Sequence, residues 1–316
     1  MKFDHLLLIG FGGPAQPEEV EPFLREVARG AANLPESRLK EVLHHYEIIG
    51  GASPYNESAF RLFRNLEESL PRNEIQLPLF IGMRNWHPFL KETLSEIKKR
   101  GLKKGLGVVL APQRSEASFE RYVQSVEEAK KVVSACEIEY DYLKPWYDHW
   151  LFIEAQVDQI RKVDDPSAHL LFSAHSIPLE VAQKSRYREE VKMASELVAK
   201  KLNHRQWSVA YQSRSGNPRD PWLGPDVCSA IRELKAGGES TVILVPIGFL
   251  CDNAEILYDL DVEAKAEAEK IGIRYLRAST VMDHPTLAEM FSELIRGALF
   301  SSGDKKRNIS RQGKLG

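Results

Sequence analysis

Cysteine is scarce: three residues in 316, at positions 136, 228 and 251. Neither their number nor their spacing makes a disulfide framework or a zinc motif. The chain has no run of 18 apolar residues, which argues against a membrane-spanning helix. It also lacks an excess of either charge, with 43 Lys and Arg against 45 Asp and Glu and a formal net charge of −2. No basic field is therefore available for nucleic acid. The basic residues that do gather, Lys305, Lys306, Arg307, Arg311 and Lys314, follow the last apolar periodic segment. Residues 301–316 read as a flexible tail, with weak peripheral membrane contact as the lesser reading. No basic stretch leads into a cleavable apolar segment, and the cysteine usage fits a reducing compartment, so a cytoplasmic location is expected. Nothing in the sequence demands an oligomer, and a monomer is favoured.

What is present is a globular composition, 43% hydrophobic and 28% charged, over a length that suits two domains. Short, near-continuous apolar runs predict strands over residues 5–10, 77–82, 107–111, 137–143, 169–174, 208–212, 241–248 and 273–277. Such runs fit strands buried on both faces. Helical periodicity fills the intervals at 17–29, 57–70, 89–100, 119–134, 150–163, 187–202 and 227–235. Alternation of this kind predicts βαβ units. The pattern opens twice alike, at residues 6–14 and 170–178, each time as a strand, a short loop and a proline near a helix start. The expected fold is α/β, with two Rossmann-like, doubly wound domains of four parallel strands each. They should occupy residues 1–146 and 147–285, with a last helix at 286–300 packing back on the first and a ligand cleft between them.

The loop at Gly10, Gly12 and Gly13 lacks the third glycine and the downstream acid of a dinucleotide fingerprint; its glycines mean close backbone approach to another element or to a flat ligand. His175 directly follows a predicted strand end, where a side chain is offered to the cleft; it is either a base or ligand, or a histidine capping local backbone. If a helix starts near Asp252, then Glu255, Asp259 and Glu263 form one carboxylate stripe that a cation would relieve. Asp252 and Glu255 also have capping-box spacing, which needs no ligand, and a solvated acidic face would explain the other two. Trp86 and Trp222 stand in loops after strands, either lining a flat apolar pocket or covering the core edge. His44, His45 and His87 have no partner spacing and read as structural or exposed.

Taken together, Gly12, Gly13 and Pro14, residues 50–54 (Gly-Gly-Ala-Ser-Pro), 81–84 (Ile-Gly-Met-Arg) with Pro88, 173–178 (Ser-Ala-His-Ser-Ile-Pro), 222–226 (Trp-Leu-Gly-Pro-Asp), and 246–249 (Pro-Ile-Gly-Phe) running on to 255–259 (Glu-Ile-Leu-Tyr-Asp) resemble the ferrochelatase family. The likeness spans about residues 6–294. It implies a porphyrin held between the domains, with His175 and Glu255 facing each other across the ring as catalytic and metal-binding groups. It implies that Asp259 and Glu263 are a path for iron or protons, in a helix that often carries a π-turn in relatives. It places Phe11, Gly13, Pro14, Ser53, Arg84, Asn85, Trp86 and Trp222 near the porphyrin. Porphyrin and ferrous iron are then substrates, with no permanently bound cofactor.

The chain departs from the family at several points. Phe11 stands where some relatives have a tyrosine that can ligate haem iron, and Arg84 and Asn85 where some have a lysine–histidine pair. No cysteine follows Cys251, so no iron–sulfur cluster is expected. The leading reading is protoporphyrin IX converted to protohaem. The alternative is coproporphyrin III converted to coprohaem, which would need cations at the rim, with Arg29, Arg84 and Arg114 as candidates. The polar segment 110–116, unlike the apolar lip of many membrane-associated relatives, keeps that alternative open. Another metal chelatase of the same fold and a non-catalytic tetrapyrrole- or metal-binding module are the more distant readings.

Overall fold

A computed structural model describes residues 2–29, 35–163, 165–215 and 220–300. The basic tail expected to fray lies outside these residues. Among the described residues eight strands form: β1 (His5–Gly10), β2 (Leu79–Met83), β3 (Lys104–Val109), β4 (Glu139–Tyr142), β5 (His169–His175), β6 (Trp207–Gln212), β7 (Thr241–Val245) and β8 (Arg274–Arg277). They make two four-stranded sheets, in the orders β2-β1-β3-β4 and β6-β5-β7-β8, with every pairing parallel. The central strands explain the apolar runs: β1 is buried along its whole length and so is β7. Each buried leucine or isoleucine there contributes about 1.5–3 kcal/mol relative to exposure.

The helices are α1 (Pro17–Ala28), α2 (Glu36–Ile48), α3 (Tyr55–Arg72), α4 (Leu90–Lys99), α5 (Arg121–Val132), α6 (Trp150–Arg161), α7 (Leu179–Gln183), α8 (Tyr187–Lys201), α9 (Val227–Ala236), α10 (Ala254–Tyr258), α11 (Lys265–Ile271) and α12 (Pro285–Phe300). A π-helical segment, Asp259–Ala264, joins α10 to α11, and a shorter one precedes α5. Helix α2 is absent from the sequence expectation. It buries only Leu39 and Tyr46, so its apolar stripe is too thin to read. Helix α12 was expected against the first domain, but it packs on both α3 and α6. Ser292 donates or accepts at Ser69 Oγ (2.9 Å), and the Thr286 hydroxyl donates to the Leu151 carbonyl (3.2 Å). Trp146, between β4 and α6, meets Phe152 and Phe291 edge-on, each at 5.2 Å between centroids. Among the described residues no helix is long and apolar enough to cross a membrane.

Each strand order reverses beside its central strand, between β1 and β3 and between β5 and β7. Those switch points open at the carboxyl ends of the strands, where ligands of such sheets bind. His175 ends β5, and the loop after β7 runs past it to α10. Gly248 in that loop donates from its backbone to the Ser173 carbonyl (3.1 Å), and a methyl group on Gly248 would meet Ala174 Cβ at 2.6 Å and Cα at 2.8 Å. Gly248→Ala should therefore push the loop off β5 next to His175, costing about 1–3 kcal/mol, as overpacking does. Thermal denaturation should show a midpoint several degrees lower; an unchanged midpoint would mean the loop retreats freely.

Candidate active site

The Asp252–Glu255 capping box predicted from spacing does not form. The cap is Asn253, whose side-chain oxygen accepts from the Ile256 backbone (3.2 Å). Asp252 turns away to Arg277 (2.9 Å), which also holds Asp261 (2.6 Å) and so ties the start of α10 to the π-helical segment. Glu255 is released from helix capping, and its Oε1 lies 3.4 Å from His175 Nε2. Asn253 Nδ2 donates to the other carboxylate oxygen (3.3 Å).

The imidazole is fixed from behind. His175 Nδ1 donates to the Ser176 carbonyl at 2.5 Å, and the Tyr187 hydroxyl donates to the His175 carbonyl at 3.0 Å. With Nδ1 carrying a proton, contact between Nε2 and a carboxylate requires a second proton, so the pair is imidazolium and carboxylate. Removal of that proton leaves the Nε2 lone pair aimed outward, with the tautomer held by Ser176. Burial pulls the His175 pKa down, but the Glu255 charge and hydrogen bond, the Ser176 carbonyl and Asp259 together outweigh it, and the net shift is upward. Burial raises the Glu255 pKa, and the His175 charge overrides this to leave it lowered. The side chains remain 30% and 42% exposed, so solvent reaches both.

A cleft of about 340 Å³ opens in front of Glu255, between the domains. Its first-domain wall is largely apolar, from Phe11 after β1, Phe23, Leu24 and Val27 of α1, and Val42 of α2; Arg38, His45 and Tyr46 of α2, Ser53 and Tyr55 complete it. The facing wall carries Ser213, Asn253, Glu255, Tyr258 and Asp259. The His45 ring stacks on Tyr258 at 3.6 Å between centroids, joining the two walls. Asp259 also borders a lateral hollow with Glu263, Glu41, Arg38 and Asp226. Desolvation, with Glu255 and Glu263 adding like charge, pushes the Asp259 carboxyl up to about 7, against hydrogen bonds from Ser213 and Gln212. Burial, then Asp226 and Glu41, also raise Glu263. The carboxylates at 255, 259 and 263 thus run from the cleft to the hollow.

One expectation needs correction. His175 and Glu255 cannot flank a ring between them: a planar ring needs about 7 Å between groups on its two faces, twice a van der Waals separation. Both belong to the second domain and stand together on one wall. Among the described residues, moreover, no group of three or more His, Cys, Asp or Glu is placed to hold a metal ion. A donor set of two suits a cation in passage better than a resident one.

The other residues singled out from the sequence divide in two. Phe11 and Ser53 line the cleft; Gly13, Pro14, Arg84, Asn85, Trp86 and Trp222 lie off its wall. Gly12 has φ +88, and a Cβ there would meet the Trp86 backbone nitrogen at 2.9 Å, so the glycine loop packs on the 84–86 segment. Backbone N–H groups of Arg84 and Asn85 donate to the carbonyls of Gly10 and Phe11, both at 2.9 Å. Gly13 donates to Asn56 (3.0 Å), the Pro14 carbonyl accepts from Ser53, and Trp86 Nε1 donates to Glu19 (3.0 Å). The Trp222 segment buttresses the loop after β5: it pairs with Pro178, and Leu223 accepts from Ser176 Oγ (2.8 Å). The polar segment 110–116 is partly tucked in: Gln113 is buried and donates to the Ile247 carbonyl (3.2 Å), while Arg114 and Glu116 are exposed. His45, Arg38 and Tyr46 were missed because α2 was; once a helix is drawn there, 38, 42, 45 and 46 fall on one face.

The ferrochelatase family profile matches residues 4–299. The chain is 36% identical over 305 residues to the coproporphyrin III ferrochelatase of Mycobacterium ulcerans, covering 95% of this chain and 87% of that protein. It is 34% identical over 310 residues to the ferrochelatase of Rhodopirellula baltica, covering 96% and 88%. SirB from Bacillus subtilis, solved with Fe³⁺, superposes at a TM-score of 0.59 with 13% identity over 94% of this chain and 96% of that one, a likeness of fold.

The cap assignment predicts a clean separation. Asn253→Ala should lose about 1 kcal/mol of stability. Glu255→Gln should show a deficit mainly between about pH 4.5 and 6.5, since a raised histidine loses its contribution as pH climbs through its folded value and a lowered glutamate as pH falls through its own. Denaturation of both variants across pH checks this. An equal, pH-independent loss in Glu255→Gln would return Glu255 to a capping role.

Proposed function

Because the chain belongs to the ferrochelatase family, we propose that it inserts ferrous iron into coproporphyrin III, with His175 and Glu255 as the insertion centre and no iron–sulfur cluster. The observation that carries the chemistry is the His175–Glu255 ion pair, 3.4 Å apart at the edge of an interdomain cleft with one apolar wall. The choice of ring departs from the protoporphyrin IX reading favoured by sequence. It leans on the named substrate of the mycobacterial relatives and on an arginine within the cleft.

A free-base porphyrin carries two central N–H protons, and iron enters only when a pyrrole nitrogen tilts its lone pair out of the plane. Phe23, Leu24, Val27 and Val42 offer a surface against which the ring binds, and that binding can offset a distortion of about 1–5 kcal/mol. The dication takes the place of the Nε2 proton, which passes to the solvent that reaches both side chains, and has Nε2 and the carboxylate as its protein donors with water completing its shell. When the iron moves into the ring, Nε2 is again a base within reach of the protons leaving it. Asp259, poised near neutrality, takes protons from Glu255 toward Glu263 and the lateral hollow. This reading makes the protein a lyase of haem biosynthesis.

Anaerobic assay with Fe²⁺ should give turnover on coproporphyrin III above that on protoporphyrin IX; the reverse order would reject the choice of ring. His175→Ala should reduce turnover by about 100-fold or more, the scale of a general base. Wild-type turnover in that variant would remove His175 from the chemistry. The KM for Fe²⁺ should rise as pH is lowered through the raised His175 pKa, because proton and metal compete for one pair; a KM flat from pH 8 to 6 would contradict that competition.

A further inference from the structure

The two walls of the cleft touch where α2 meets α10. The His45 ring, from the first-domain wall, and the Tyr258 ring, from the facing wall, lie 3.6 Å apart between centroids with 10° between their planes. That distance is one van der Waals separation, so nothing fits between them. Both side chains line the cleft, and His45 also borders the lateral hollow. Burial, with Arg38 and His44 adding like charge against the pull of Glu41, lowers the His45 pKa, and burial raises that of Tyr258. The stack therefore joins two uncharged rings. Tyr258 follows Glu255 by three residues on α10, on the same helix face. Burial raises the pKa of Tyr46, next to His45, and the Glu255 charge adds to the rise, so α2 passes close to the insertion centre. A flat ring that reaches Glu255 from the wall of α1 and Val42 meets this contact, and room for it between the walls takes about 7 Å, twice the separation at the stack.

Helix α2 is the side able to move. It packs on α1 and α10. Its buried residues, Leu39 and Tyr46, join a small apolar cluster with Val20, Phe23 and Leu24 of α1, separate from the cores of the two sheets. After α2 the chain turns at Gly50 and Gly51, with φ of +99 and +80, a conformation open to glycine and strained for other residues. An element with so little buried area belongs to the low end of local stability. We infer that the His45–Tyr258 stack is a clasp: it closes the cleft in the free protein, and a tetrapyrrole enters as α2 swings and the two rings part. This rests on the reading of the cleft as the porphyrin site. A ligand that takes only the open form is bound more weakly in proportion to how little of that form is present. Loss of the stack raises the open fraction, so truncating a residue of the wall should tighten the ring.

Stopped-flow fluorescence of the full chain without iron, with coproporphyrin III as the probe, tests the clasp. His45→Ala should raise the association rate constant by about 2- to 10-fold, the worth of an aromatic pair, and leave dissociation unchanged. Tyr258→Ala should do the same, and the double variant should gain little over either, since each alone removes the stack. His45→Phe, which keeps a ring to stack, should return association to the wild-type rate. Slower or unchanged association in His45→Ala, additive effects in the double variant, or faster dissociation would overturn the clasp, the last by making His45 a contact of the bound ring. Hydrogen exchange with no ring added decides the point separately. Amides of α2 should exchange about 2- to 10-fold faster in His45→Ala while those of α12 keep their rates; an unchanged α2 would overturn the clasp. Failure of the wild-type protein to insert iron into either ring would instead bring down the functional reading, and the exchange rates would still decide whether the stack holds α2.

Discussion

The ion pair between His175 and Glu255 depends on other side chains doing work that would otherwise occupy it. A glutamate in the first turn of a helix is drawn to the unpaired backbone N–H groups there. Asn253 satisfies one of them, and Arg277 draws Asp252 out of the way. A histidine at a strand end is equally prone to turn into local backbone contacts, and His175 does so with only one of its nitrogens. The outcome is two groups, each anchored on one side and open on the other, meeting at 3.4 Å. Neither anchor is rigid alone: the first is set by the Arg277 bridge between Asp252 and Asp261, the second by the Trp222 segment behind Ser176.

From that pair the electrostatics of the second domain follow. Three carboxylates within a few helical turns cannot all remain ionised in a partly desolvated setting, and the strain falls on the middle one, Asp259. Ser213 and Gln212 hydrogen-bond it and limit the shift without abolishing it. Asp259 thus stands, raised by burial and like charge, between Glu255, which the His175 charge lowers, and Glu263, which burial also raises. The π-helical segment belongs to the same arrangement: its wider turn starts at Asp259 and carries Glu263 to the hollow outside the cleft.

The parts of this architecture that were legible in the sequence are those set by local burial. Strands such as β1 and β7 are buried on both faces, so their apolar runs are uninterrupted and mark themselves. His175 and Glu255 were legible by position, one at a strand end and the other just after the next central strand. What was hidden depended on contacts far apart in sequence. The spacing of Asp252 and Glu255 fits a capping box, and only Arg277, 25 residues on, shows why it is not one. Trp86 and Trp222 had the right loops for a flat pocket, yet each is taken up in holding a neighbouring loop. Helix α2 escaped because most of its residues face solvent or the open cleft, leaving few apolar positions to show a period.

That last gap explains why the first-domain wall of the cleft was harder to read than the second-domain wall. The second domain supplies chemistry from strand ends, and strand ends announce themselves. The first domain supplies shape and charge from two amphipathic helices whose inward faces line the cleft. A face that lines an open cleft need not be apolar throughout, and on α2 it mixes Arg38, Val42, His45 and Tyr46. The stacking of His45 on Tyr258 shows that this mixed face bridges the domains. Helix α2 therefore reaches both walls of the cleft, whereas His175 and Glu255 belong to one.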